Sequence, residues 1–284
     1  METMKISVII PTYKPGKYLF ENLDRLGQQT LDKNLFEIVI ILNGEREPYF
    51  SQIDAYARQH PELCIRLFYT DKQGVSNARS VGIDEARGAF IAFFDDDDWA
   101  SPDYLESLLS LTDGNTVVVS NVKLIEDGTR HQLSYYTTDA FNRLERKKHP
   151  SIFQARSFLS AVWGKLIPRQ VIAEDRFHDN YVLGEDALFM FLISSRISDI
   201  KLASHDITYY VRYRQSSASR RHHSYWKRAK VALEVSAKYT SLYFSAPGKY
   251  DFLLYLSRVV ATLKKLLQKS YEVTPKRIGV HTEG

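Results

Sequence analysis

A single cysteine, Cys64, stands in the 284 residues. That excludes an internal disulfide framework and any cysteine-based zinc site. Glycine (13) and proline (9) are too scarce for a fibrous or low-complexity chain. No stretch of about 18 uncharged apolar residues occurs, so no membrane-spanning helix is expected. The N-terminus has no basic segment followed by an apolar run, so no secretory signal is expected. An intracellular, reducing compartment is then the default location. No internal repeat is present.

What is there is the composition of a folded protein: 44% hydrophobic, 13% aromatic and 25% charged residues, apolar enough to exclude disorder as the main state. The length admits one large domain or two small ones. Charge is unevenly placed. Residues 212–284 hold 15 basic and 4 acidic side chains, a balance of +11, which leaves −7 on residues 1–211. An acidic body with a basic tail points to two tasks, or to one task beside an anionic surface.

The first 120 residues alternate short apolar runs with amphipathic segments. Residues 6–10, 38–42, 65–69, 90–94 and 117–119 are rich in β-branched and aromatic residues without period-2 alternation, as strands buried on both faces are. Cys64 is expected to be buried at such a strand. Tyr18, Leu19, Leu23 and Leu26 have helical spacing, as do Ile53, Tyr56 and Ala57. Ser101-Pro102 reads as an N-cap followed by proline at the first helical position. The alternation predicts βαβ units and a mostly parallel sheet flanked by helices. Beyond residue 120 it fails. Residues 121–150 read as irregular with a hairpin near Asp127-Gly128, residues 154–197 as two or three helices, and 207–213 as a strand. Residues 214–223 read as a polar loop, and 224–270 as two helices split at Pro247-Gly248. In the second of these, Leu253, Leu256, Val260, Leu263 and Leu267 share a face. The expected division is a catalytic domain over 1–215 and a helical extension over 216–284.

Ligands of open α/β sheets bind beyond the carboxyl ends of the strands. Three such ends carry polar chemistry: Pro11-Thr12-Tyr13, Asn43-Gly44 and Asp95-Asp96-Asp97-Asp98. Four aspartates in a row usually form a solvated loop, but here a buried strand delivers them to the ligand edge. Adjacent carboxylates repel unless a cation or protons intervene, and clustered oxygens suit Mg2+ or Mn2+ with phosphate. Residues 73–79 read as a loop opening a helix with Arg79 in its first turns, a weak anion site by itself. Gly184-Glu185-Asp186 opens an apolar helix, where acidic residues favour the N-terminus.

Taken together, SVIIPTYK at 7–14, GVSNARSVGIDEARGAFIAFFDDDDW at 74–99, WGKLIPR at 163–169 and GEDALF at 184–189 resemble the family 2 glycosyltransferases. The resemblance covers about residues 5–215. It implies a Rossmann-like α/β fold of GT-A type, here with a C-terminal helical extension. It implies a nucleotide-diphospho-sugar donor, with a UDP-sugar expected, and Asp97 as ligand to Mg2+ or Mn2+. Asp95 or Asp96 would reach the ribose or metal-bound water, Arg79 would lie beside the nucleotide, and Pro11, Thr12 and Tyr13 would face the base. In the Glu185-Asp186 pair, Asp186 would be the base and Glu185 the second candidate. The chain departs from the family where many members end the second strand in a base-binding aspartate. Asn43 stands there and keeps hydrogen-bonding capacity toward a pyrimidine. Lys14 and Ser80 replace commoner asparagines.

The resemblance implies inverting, metal-dependent transfer to a glycan or lipid-linked glycan, in cell-surface polysaccharide synthesis, with loop 214–223 closing over the donor. His222 or His223 could add a metal ligand, against the plainer reading of two surface histidines. The C-terminal helices would meet the inner face of the cell membrane or a second subunit, and no nucleic acid is expected. The rival readings are a nucleotidyltransferase, which the sequence PTYKPG after the first strand disfavours, and a non-catalytic sugar- or nucleic-acid-binding protein. In the latter, Tyr225, Trp226, Tyr239 and Tyr243 would stack bases, although helical spacing makes core packing the better account of them.

Overall fold

The computed structural model describes residues 4–129, 131–147, 149–178, 184–214 and 224–267. Side chains of 265–267, Leu267 among them, are outside the description, as are His222, His223 and the loop 215–223. The chain opens with β1 (Ile6–Thr12), α1 (Lys17–Gly27), β2 (Phe36–Asn43), α2 (Tyr49–Gln59), β3 (Ile65–Thr70), α3 (Val75–Glu85) and β4 (Phe90–Phe93). It continues with β5 (Trp99–Ala100), α4 (Tyr104–Leu111), β6 (Thr116–Val119), β7 (Asn121–Glu126), β8 (Gln132–Leu133), α5 (Tyr136–Leu144), β9 (Lys165–Pro168) and α6 (Arg169–Ile172). Last come α7 (Glu185–Ile193), β10 (Asp199–Leu202), β11 (Thr208–Tyr213), α8 (Tyr225–Ser245) and α9 (Phe252–Leu267).

Among the described residues the main sheet runs β10-β6-β9-β4-β1-β2-β3. It is parallel except for β9, which pairs antiparallel with both β4 and β6. The chain winds outward from β1 through β2 to β3, then returns to place β4 on the other side of β1. The crevice between the ends of β1 and β4 is therefore the topological switch point, where such sheets bind ligands. Every residue of β1 and β2 is buried; each Val or Ile side chain contributes about 1.5–3 kcal/mol by leaving water, and the polar pair among them is satisfied, Ser7 donating to Glu37 at 2.6 Å and Arg66 to Glu37 at 3.0 Å. β3 is the sheet edge and only half-buried, and Cys64, just before it, is half-buried too.

A second sheet, β5-β11-β7-β8, packs beside the first. β7 and β8 form the hairpin expected near Asp127-Gly128. The rest of 121–150 is more regular than its sequence: α5 follows, with Thr137 and Thr138 buried and the Thr138 hydroxyl donating to the Val122 carbonyl. Within 154–197 a strand, β9, joins the helices α6 and α7. The cap expected at Ser101 is absent. α4 begins at Tyr104, and the Ser101 hydroxyl instead accepts the Thr208 N–H at 3.2 Å, tying β11 to the start of this segment.

α8 and α9 form a helical hairpin in which Tyr243 stacks on Tyr255 at 4.5 Å. Its inner face shares the main core: Phe191 of α7 meets Tyr239 at 5.1 Å and Tyr250 at 4.9 Å, and Leu254 is fully buried. Arg258 donates to the Ser160 hydroxyl and the Arg156 carbonyl. The packing face of α9 is thus Leu254 and Arg258. The stripe Leu253, Leu256, Val260 and Leu263, whose spacing predicts packing on the catalytic domain or on another subunit, is exposed and does not pack on the catalytic domain. The tail aromatics divide the same way: Tyr239 and Tyr243 pack, while Tyr225 and Trp226 face solvent.

Candidate active site

The switch point brings the predicted donor residues together. Thr12, the last residue of β1, donates its hydroxyl to Asp96 at 2.5 Å, across the gap between β1 and β4. Pro11 is buried within β1, and Tyr13 beyond it is 46% exposed. The Tyr13 ring lies over Gly44, whose φ is +88°. A Cβ there would meet the ring at 2.7 Å, so both conformation and space require glycine. Asn43 is buried. Its amide donates to the Thr12 carbonyl at 2.7 Å and its oxygen accepts the Gly74 N–H at 3.2 Å. It ties the ends of β1 and β2 to the loop that opens α3. Lys14 pairs with Glu45 at 2.6 Å on the rim.

The four aspartates are held differently from one another. Asp95 accepts a hydrogen bond from Arg79 at 2.9 Å, while its own N–H donates to the Tyr209 hydroxyl at 3.1 Å. Asp97 pairs with Arg214, and its carbonyl accepts from Arg212 Nε at 2.8 Å. Asp98 is 2% exposed and accepts the Arg212 N–H at 2.8 Å, which makes it a structural anchor for β11. Burial pushes the Asp96 carboxyl up to about 7, against the Thr12 hydrogen bond and helped by the charges of Asp97 and Asp95. Burial, then the Asp95 charge, also raises Asp97, against the pull of Arg214. Burial is the first cause at both carboxyls and mutual repulsion adds to it.

The acidic pair on α7 faces this cluster. Gly184, at φ +86°, turns the chain into the helix with a conformation that side chains rarely adopt. Asp186 Oδ1 accepts from Arg79 at 2.5 Å. Arg79 is only 4% exposed and so bridges Asp95 and Asp186, two carboxylates from opposite sides of the cleft. Burial opposes its charge, but those two carboxylates more than offset that and raise its pKa. Its guanidinium lies 5.6 Å from the Phe177 ring, whose backbone N–H donates to Ser80. Burial raises Asp186, with Arg79, Lys165 and the Val162 backbone hydrogen bond working the other way. Burial, then the Asp186 charge, pushes Glu185 up to about 7.

Several residues of the site had no assigned role in the sequence reading. Lys165 lies within the motif at 163–169, yet its position is legible only in space: it is 2% exposed and donates to the Ala161 and Trp163 carbonyls at 2.7 and 2.8 Å. Burial lowers its pKa to about 7, against the charge of Asp186. Arg212 and Arg214, at the end of β11, fasten the aspartate loop, and only the basic composition after residue 212 hinted at them. Among the described residues, no group of three or more His, Cys, Asp or Glu side chains converges as a ready metal cage.

The model of the family described as glycosyl transferase family 2 matches residues 7–164. Among curated relatives, the putative glycosyltransferase EpsH of Bacillus subtilis is 27% identical over 177 residues, which is 62% of this chain and 50% of that protein. This chain therefore spans about half the length of that relative. Among solved structures, TarS 1-349 of S. aureus in complex with UDP-GlcNAc superposes with a TM-score of 0.71 at 20% identity, over 94% of this chain and 74% of the other. A mannosyltransferase from Pyrobaculum calidifontis, in complex with GDP-Man and Mn2+, gives a TM-score of 0.62 at 16% identity, over 94% and 76%. At these identities the likeness shows the fold, a GT-A type α/β architecture.

Proposed function

The chain belongs to glycosyl transferase family 2 and is a glycosyltransferase, and we propose that it transfers a sugar with inversion from a UDP-sugar to a glycan or lipid-linked glycan. The observation that carries this reading is the Asp95–Arg79–Asp186 bridge at the switch point. It supports the reading because it joins the aspartate loop after β4 to the carboxylate proposed as the base. Tyr13, Thr12, Pro11 and Asn43 shape the base and ribose end, with Tyr13 as the exposed ring available to stack on a pyrimidine. Asp95 and Asp96 face the ribose and the sugar. Asp186 accepts the proton of the attacking acceptor hydroxyl as it closes on the anomeric carbon. Burial raises its pKa and with it its basicity, while Arg79 works the other way. Glu185, beside it, is the second candidate.

The residues fit a divalent cation. The Asp97 carboxylate lies in a run of four aspartates and already takes up one positive partner, Arg214. Mg2+ is usually held by one or two carboxylates with phosphate oxygens, so Asp97 with a donor diphosphate suffices without a ready cage. When bound, Mg2+ or Mn2+ would neutralise charge developing on the departing diphosphate. Arg214 pairs with the same carboxylate and supplies further positive charge there.

The hairpin supports attachment to an anionic membrane surface at the inner face of the cell membrane. No described helix is long and apolar enough to cross a membrane. Yet α9 exposes Leu253, Leu256, Val260 and Leu263, and α8 exposes Trp226, which is 79% accessible, and Leu233. Lys264 is exposed beside the α9 stripe. An exposed apolar face with a basic residue beside it is the pattern of an interfacial helix, and each basic residue near anionic lipid adds about 1 kcal/mol. Co-sedimentation with phosphatidylserine vesicles that fades with salt, and with a Leu256→Glu/Val260→Glu variant, is expected. Failure to bind at low salt would leave the face to a second subunit.

The reaction itself is tested by UDP release from UDP-sugars. Transfer should depend on Mn2+ or Mg2+ and stop in excess EDTA. Undiminished transfer in EDTA contradicts the cation's part, and release from GDP-sugars alone contradicts the donor assignment.

A further inference from the structure

Arg258, on the inner face of α9, is a buried cation whose partners are all neutral. It is 7% exposed. Its two terminal nitrogens donate to the Ser160 hydroxyl at 2.9 Å and to the Arg156 carbonyl at 2.7 Å. Its Nε is buried without a partner, and burial lowers its pKa. A charge taken out of water costs stability unless it is paired. An apolar side chain would close the same helix face at less cost, as the fully buried Leu254 does one turn earlier. Packing of the hairpin alone therefore does not call for an arginine here.

What Arg258 holds leads to the candidate active site. Ser160 begins the short strip 160–163, in which Ala161 and Val162 are buried. The strip ends at Trp163, which makes a parallel bridge to Phe93, the last residue of β4. The Trp163 ring lies on Tyr209 with centres 5.6 Å apart and planes 3° from parallel. Tyr209, fully buried, accepts the Asp95 N–H on its hydroxyl at 3.1 Å. Lys165 holds the same strip, donating to the carbonyls of Ala161 at 2.7 Å and Trp163 at 2.8 Å. The strip is thus fixed at its start by Arg258 and along its length by Lys165, and it ends against the strand and the tyrosine that set Asp95. Interiors packed this closely transmit a displacement rather than absorb it. Asp95 in turn accepts from Arg79, which also holds Asp186.

We propose that Arg258 is a positioning residue: from the C-terminal hairpin it fixes the strip 160–163 and, through Trp163 and Tyr209, the place of Asp95 in the cleft. The inference rests on the transfer reaction proposed above and adds to it a residue that touches none of the reacting atoms. The hairpin is then part of the catalytic unit rather than an appendage to it, joined to the aspartate loop by one unbroken run of contacts.

Turnover of UDP-sugar by the full chain, at saturating donor with Mn2+ and well below every melting midpoint, tests this. Arg258→Met should lower turnover about ten- to hundredfold, the scale of a slightly misplaced group. Arg258→Lys keeps the charge but not the fork and should recover part of that loss. Ser160→Ala should lower turnover about two- to tenfold, the worth of one hydrogen bond, and the double variant should be no slower than Arg258→Met, since both changes break one contact. Leu254→Ala is the control: it opens a cavity in the same helix face and should lower the melting temperature at least as much as Arg258→Met, with turnover close to wild type. The indole N–H signal of Trp163, assigned with Trp163→Phe, reads the strip without substrate. It should shift in Arg258→Met and Ser160→Ala and stay in place in Leu254→Ala. Three results overturn the proposal: Arg258→Met turning over like wild type, Leu254→Ala losing as much turnover as Arg258→Met, or a Trp163 signal that Arg258→Met leaves unmoved. Should Arg258→Met fail to fold, Arg258→Lys and Ser160→Ala decide by the same criteria. A wild type that releases no UDP from any UDP-sugar sinks the transfer reading instead, and the indole signal alone then decides whether Arg258 sets the strip.

Discussion

The two halves of the main sheet are built by different rules. On one side β3, β2, β1 and β4 lie parallel, joined by helices that each follow their strand within a few residues. On the other side β9 enters antiparallel between β4 and β6, and β10 closes the edge from residues 199–202. The first half is a repeat of local βαβ units, and its strand ends form a nucleotide edge almost automatically. The second half is assembled over long sequence distances and carries α7 with its acidic pair. In the reading proposed above the halves do separate work: the first holds the donor and the second supplies the base. Arg79 is where they meet, bridging Asp95 from one and Asp186 from the other across 107 residues of sequence.

The division can be broken from either side. The largest effect is expected at Asp97 in the donor half. Asp97→Ala removes the carboxylate proposed to face the diphosphate and with it the ion pair to Arg214. Transfer should be lost and UDP affinity should fall with it, both read on the same preparation. UDP affinity equal to wild type would take Asp97 out of the donor site.

Arg79→Met comes next, because it severs the halves. It leaves Asp186, 17% exposed, and Asp95, 36% exposed, without their shared cation, so solvent screening leaves only part of the about 3–5 kcal/mol that breaking a fully buried pair costs. Urea unfolding should show that loss. In whatever folds, the acid limb of the pH–rate profile should move to higher pH, because Arg79 holds the raised Asp186 pKa down. A base works only when deprotonated, so turnover falls as pH drops through that pKa. A limb that stays put or moves down contradicts the coupling.

A smaller effect concerns stability against pH. Asp96 and Glu185, each raised to about 7, hold protons in the folded state that the unfolded chain has released. Their contribution to stability is full below about pH 4 and is lost as pH rises through about 7. The melting temperature should therefore decline between pH 5 and 7.5, and Glu185→Gln should flatten part of that decline. An identical slope in the variant would remove Glu185 from the account. The smallest effect is at Thr12→Val, which leaves Asp96 without its hydroxyl partner. One hydrogen bond is worth about 0.5–1.5 kcal/mol, and its loss should be seen as weaker donor binding with the fold intact. Unchanged donor affinity would make the Thr12 contact purely structural.

The same contrast explains what could be read from the sequence. β1, β2 and β4 are continuous apolar runs buried on both faces, so composition alone locates them and the polar residues at their ends. Thr12, Asn43 and Asp95 to Asp98 follow directly. β9 could not be read this way: it is four residues long, antiparallel, and contains a buried lysine whose charge is masked by two backbone carbonyls. α5 hid because its buried face carries Thr137 and Thr138, residues that favour strands and turns. The outward stripe of α9 was legible as a stripe but not in direction, since both of its faces carry apolar residues and Arg258 buries on the opposite one. The roles of Arg79 and Arg214 depend on partners more than 100 residues away, which no local pattern encodes.

The central claim is that donor binding and proton removal belong to different halves, with Asp186 as the base. Asp186→Asn keeps the shape of the side chain and removes its ability to take the proton. Calorimetry of UDP with Mn2+ and turnover under saturating donor, measured on the same samples of wild type and Asp186→Asn, test it most directly. The account predicts UDP affinity close to wild type with turnover lower by about 10²–10⁴-fold. Near-normal turnover, or a loss of UDP affinity as large as the loss of turnover, would contradict it.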